Sequence, residues 1–176
     1  MPFSVSTRPL TPEELERLRA KRPPLIFWPS RKVANQELAL AVGEQLDFEV
    51  LRAWNANPCE PPCCPPRFLF QASPDEYVSV DFEDLPDTPL AEIPRRTFKI
   101  LRSPRLKIIV SWSATGERVP VEPTDLGIYG RSTRGSLVPS ASIFAECELF
   151  RLSDFSDELR EKLLPGGGKG GRDEDH

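Results

Sequence analysis

Twenty of the 176 residues are proline, about twice ordinary usage. Each lacks a backbone N–H and holds φ near −65°, so long helices are disfavoured and short strands joined by ordered loops are favoured. The densest stretch, residues 55–66, holds five prolines in twelve residues and reads as a Pro/Cys-rich loop without regular structure. A hydrophobic content of 39%, with ten Phe and three Trp, suffices for a globular core. No apolar run approaches the roughly 18 residues of a membrane span. The first residues lack the hydrophobic stretch of a secretory signal. The expectation is a cytoplasmic protein with reduced cysteines and no membrane partner.

Local signals are best at residues 11–22. Thr11 is placed to cap a helix, with Pro12 at its first position, Glu14 completing a capping box, and Leu10 and Leu15 as the flanking staple. Pro23-Pro24 stops that helix. Leu25 to Trp28 reads as a short buried strand or a docking segment, and Val33 to about Gln45 as a second helix with Leu38, Val42 and Leu46 on one side. The pattern then turns to strands at Arg67–Gln71, Glu76–Phe82, Thr97–Arg102, Arg105–Ser113, Val119–Glu122, Leu126–Tyr129 and Ala141–Leu152. A tight Ser103-Pro104 turn joins the third and fourth of these. Asp154 or Ser156 caps a short last helix.

These elements define an α+β fold. Two N-terminal helices pack on a mostly antiparallel β-sheet or open barrel, followed by a short C-terminal helix. Residues 1–164 form a single globular domain, mainly helical over 11–54 and β-rich over 67–152, with the last helix at 154–164. Residues 165–176 read as a disordered Gly-rich tail.

The net charge of −4 hides segregation. Residues 1–34 carry 7 basic and 3 acidic groups, 35–93 carry 2 and 12, 94–136 carry 9 and 3, and 137–176 carry 5 and 9. Such blocks either pair internally on folding or present patches to partners.

The chemistry is limited by one placement: the single histidine is His176, in the Gly-rich tail. Nucleophile–imidazole pairs and His-ligated metals need a rigidly held ring, which a tail does not supply. Cys59, Cys63, Cys64 and Cys147 are the weak metal candidates, since their spacing is not that of two Cys-x-x-Cys knuckles. Asp81 and Glu83 lie on one strand face within an acidic run that also contains Asp75, Glu76 and Asp84. That run could converge on divalent cations, or serve as a solvated edge that discourages aggregation. No cofactor is expected.

Two anion-binding candidates remain. Between Gly130 and Gly135 lie Arg131, Ser132, Thr133 and Arg134, with donors suited to a phosphate. The words Tyr129-Gly130-Arg131 and Arg134-Gly135-Ser136-Leu137 resemble the phosphate-binding stretch of trimeric dUTPases. The Gly-Val-Ile-Asp segment that carries their catalytic aspartate does not follow, so the activity is not implied. The second candidate is a hairpin face bearing Arg95, Lys99, Arg105 and Lys107, able to lie along a phosphate backbone. The leading expectation is a non-enzymatic interaction or assembly module. It would bind another protein or a second copy of itself through Pro-rich segments such as Pro23–Pro29, Pro58–Pro66 and Pro86–Pro94. Its alternative is a phosphate- or nucleic-acid-binding module.

Overall fold

The computed structural model describes residues 2–56, 67–81, 93–124, 126 and 145–165. It is an α+β arrangement in which the strands form two sheets, not one sheet or an open barrel. The first sheet contains β1 (Ser4–Pro9), β2 (Val42–Glu49), β6 (Arg95–Arg102) and β7 (Ile109–Arg118), in the order β1-β2-β6-β7. The second contains β3 (Arg52–Asn55), β4 (Arg67–Gln71), β5 (Glu76–Asp81), β8 (Val121–Glu122) and β9 (Cys147–Arg151), in the order β8-β3-β4-β5-β9. Every pairing is antiparallel except β3 with β8. The helices are α1 (Pro12–Ala20), α2 (Trp28–Leu40) and α3 (Asp157–Leu163).

Alternation of side chains sets the main core. Leu46 and Phe48 of β2, Phe98 and Ile100 of β6, Phe68 and Phe70 of β4, and Val78 and Val80 of β5 share one buried cluster, so the two sheets face each other across it. Phe98 is its hub, with ring centroids 4.9 Å from Phe70 and 5.6 Å from Phe48. The opposite face of the second sheet is buried too. Trp54, Leu69 and Tyr77 pack with Phe155, Leu159 and Leu163 from the α3 region. Leu18 of α1 and Ala34 of α2 share a third cluster with Leu101, Leu106, Ile108 and Val110.

Several elements depart from the sequence reading. The first helix forms as read: the Thr11 side chain accepts from Glu14 N at 3.2 Å and Glu14 Oε2 accepts from Thr11 N at 2.9 Å. The second helix starts earlier, at Trp28 with Pro29 in its first turn, and ends at Ala41 in the left-handed region with φ 53°. Val42 and Leu46 therefore belong to β2, because Leu46, Phe48 and Val50 recur at the period of a strand that faces the core. Residues 42–49 and 52–55 are strand, so the helical part of the stretch 11–54 ends at Leu40. Leu25–Phe27 is a 3₁₀ turn, not a buried strand. β1 went unread because Val5 is its only large apolar residue. It exists by pairing with β2.

The connection between β6 and β7 is also longer than a tight turn. It spans residues 103–108, closed by Ser103 N donating to Ile108 O at 2.8 Å. Arg105 and Lys107 lie in this turn and not on a strand, and Lys107 has φ 60°. Glu37 of α2 holds it. Its buried carboxylate accepts from the Leu106 backbone N–H at 3.3 Å and from that of Arg105. The last helix is capped by Ser156, whose hydroxyl accepts from Leu159 N. Residues 166–176 lie outside the described residues.

Candidate docking site

Among the described residues, the longest run of exposed apolar side chains follows α1. Lys21 ends that helix, Pro23 and Pro24 force an extended path, and Phe27 N donates to Pro24 O at 3.0 Å to close a 3₁₀ turn. Trp28 begins α2 with Pro29 directly behind it. The turn projects four successive side chains outward: relative exposure is 67% for Leu25, 84% for Ile26, 41% for Phe27 and 56% for Trp28. Scattered exposed leucines need no explanation, whereas a contiguous apolar patch of this kind usually marks a contact surface.

The base of this ledge is firmly held. Lys21 Nζ donates to the Glu146 carboxylate at 2.9 and 3.0 Å and to Ile109 O at 3.0 Å, fixing the end of α1 to the strands beneath. Arg31 Nη1 donates to Pro23 O at 2.9 Å, tying the turn to the first turn of α2. Two prolines and these four bonds leave little conformational freedom to lose on binding.

In the sequence, basic residues gather on both sides of the ledge. Arg17, Arg19, Lys21, Arg22, Arg31 and Lys32 fall between residues 17 and 36, with no Asp or Glu among them. Arg17 pairs with Glu13, Arg19 with Glu16 and Lys21 with Glu146. Arg22, Arg31 and Lys32 have no carboxylate partner among the described residues: Arg22 Nη1 reaches Asn35 Oδ1, and its Nε is buried without an acceptor. Three basic residues without a described carboxylate thus lie within four positions of the apolar tip in the sequence.

The residues singled out from sequence are dispersed. Arg131, Ser132, Thr133 and Arg134 lie outside the described residues, as do Cys59, Cys63, Cys64, Glu83 and Asp84. Cys147 is fully buried, and burial pushes its thiol up to about 11. Burial thus disfavours its thiolate, the form that attacks as a nucleophile. Asp81 is not on a solvated edge. It sits buried on an interior strand, 3.5 Å from the Arg67 guanidinium.

The four basic hairpin residues do not form one strand face. Arg95 begins β6 and donates to Gly116 O, and Lys99 is exposed at 3.6 Å from Asp47. Arg105 reaches Gln36 from the turn, and Lys107 is 3.2 Å from Glu44. Glu44 also holds the buried Arg102 at 2.9 Å. The acidic and basic segments thus pair internally along β2 and β6, which consumes part of the charge a phosphate backbone would need.

Of the Pro-rich segments read as docking edges, Pro23–Pro29 is described, and it carries the ledge. Pro58–Pro66 and the part of Pro86–Pro94 before Ile93 lie outside the described residues. The sequence left Leu25–Trp28 open as a short buried strand or a docking segment, because four successive apolar residues look the same whether buried or not. The prolines on either side were the available signal. No helix among the described residues is long and apolar enough to cross a membrane. No family model, curated protein or solved structure matches the chain.

Proposed function

We propose that this chain is a non-enzymatic interaction module that docks through the ledge Leu25–Trp28. The observation that carries this reading is the contiguous exposure of Leu, Ile, Phe and Trp on a turn whose base is fixed. Aromatic anchors on a rigid element bring large apolar area to a contact at low entropic cost. Removing their exposure is the natural driving force for association, at roughly 25 cal/mol per Å² of apolar surface covered.

The test is sedimentation of the full chain in extract of its own cells, beside the double variant Ile26→Ser, Trp28→Ser. The native chain is expected in fast-sedimenting material and the variant at the monomer position. Native protein that sediments as a monomer, or a variant that co-sediments equally well, overturns the reading.

A further inference from the structure

The chemistry of the ledge also identifies what it docks onto. Resting on the reading of the ledge as the contact surface, and against the sequence expectation of no membrane partner, we propose that its occupant is the interface of an anionic lipid bilayer. Leu25–Trp28 would enter the headgroup–acyl boundary, with Arg22, Arg31 and Lys32 at the level of the phosphates.

Three observations favour a fluid apolar layer over a protein groove. A 3₁₀ turn rotates each residue by about 120°, so successive side chains at 25–27 fan around the tip. All of them are exposed nonetheless, together with Trp28. A rigid groove covers one side of such a tip, while acyl chains close around every side. The composition fits as well: Trp sits preferentially at the membrane–water boundary, and Leu, Ile and Phe suit the layer below it. The third observation is the gathering of basic residues on both sides of the tip in the sequence. Arg22, Arg31 and Lys32 flank the tip without a described carboxylate, and the stretch from 17 to 36 contains no acid. Basic side chains beside an apolar anchor are attracted by anionic headgroups, and their alkyl stems lie along the apolar layer.

The fixed base suits this task. Shallow insertion requires a tip that does not fold back on itself, and the Lys21–Glu146 pair with the Arg31–Pro23 bond holds it outward. This contact is peripheral and involves no spanning helix, in keeping with α1 and α2 at 9 and 13 residues.

The experiment is co-sedimentation of the full chain with vesicles of phosphatidylcholine alone and of phosphatidylcholine with phosphatidylglycerol, followed over a salt series. Fluorescence quenching by brominated acyl chains is read in parallel. Binding is expected to the anionic vesicles and to weaken with salt. Ile26→Ser, Trp28→Ser should weaken it more than tenfold, given the apolar area of two such side chains. Lys32→Gln, a change on the surface, should weaken it about fivefold. Quenching of the native chain should exceed that of Trp28→Ser, because Trp54 is buried and Trp112 is packed against the core. Thermal melts of each variant check that it folds. Absence of binding to both vesicle types overturns the lipid assignment. If the extract experiment still shows ledge-dependent sedimentation, the occupant is then a protein and the docking reading stands. Anionic-vesicle binding that is indifferent to the ledge variant, or to Lys32→Gln, also overturns the proposal.

Discussion

The core between the two sheets and the ledge after α1 are built from the same kinds of residue and meet opposite fates. Phe48, Phe70 and Phe98 are fully buried, with ring centroids within 6.2 Å of one another. Leu25, Ile26, Phe27 and Trp28 stay exposed, from 41% for Phe27 to 84% for Ile26. The difference lies in the backbone that carries them. On a strand, alternate residues point to one face, and a second sheet can cover that face in a single layer. On a 3₁₀ turn bounded by prolines, side chains radiate from a narrow tip, and the chain offers no neighbour that covers them all. Hydrophobic character decides what is worth burying, and geometry decides whether the fold can bury it.

The sharpest way to break that comparison is to cut the same chemistry from each region. Phe98→Ala should cost about 3–5 kcal/mol, because it removes the central ring and leaves a cavity that packed neighbours fill poorly. Urea denaturation measures it. A loss under 1 kcal/mol would mean that the sheets are not packed across Phe98 as described.

An intermediate effect is expected at Glu37, a charge among buried groups. Glu37→Ala should cost about 1–3 kcal/mol, since the N–H groups of Arg105 and Leu106 lose their acceptor. Burial raises the Glu37 carboxyl above its ordinary 4.5. A raised acid gives its full contribution below the unfolded value and loses it as pH climbs through the folded one. Stability should therefore fall with rising pH above 4.5, and Glu37→Gln should flatten that slope. Glu14 has the opposite sign. Hydrogen bonds from Arg8 hold its carboxyl down at about 2. Its contribution is present above 4.5 and is lost as pH falls toward 2. Denaturant midpoints measured across pH for the native chain and for Glu14→Gln and Glu37→Gln separate the two limbs.

The smallest effect belongs to the ledge. Ile26→Ser, Trp28→Ser should change stability by no more than about 0.5 kcal/mol, since exposed side chains contribute little to folding. A much larger loss in the same urea experiment would show that the tip is covered in solution, and would remove the basis for reading it as a contact surface.

Signals with a short range were legible in the sequence. The Thr11–Glu14 capping box, the Ser156 cap, the strand Arg67–Gln71 and the strand beginning at Glu76 each depend on residues a few positions apart, and each forms. Alternation of Val78 and Val80 against Tyr77 was also readable, though not that both faces would be buried. Signals requiring a distant partner were not. β1 has almost no apolar pattern and is a strand only because β2 pairs with it. Val42 and Leu46 fit a helical stripe as well as a strand, and the facing sheet chose between them. Asp81 read as part of an acidic edge until β9 paired beyond it.

The candidate site divides along the same line. The sequence by itself determined that a proline-bounded apolar tetrad lies among six basic residues, because composition and local proline geometry fix both facts. Only the tertiary structure decided that Lys21 turns inward to Glu146 while Arg22, Arg31 and Lys32 keep no described carboxylate. It decided likewise that the tetrad stays outside the core. Burial is a property of what packs against a residue, and the carboxylate that reached Lys21 came from 125 positions away.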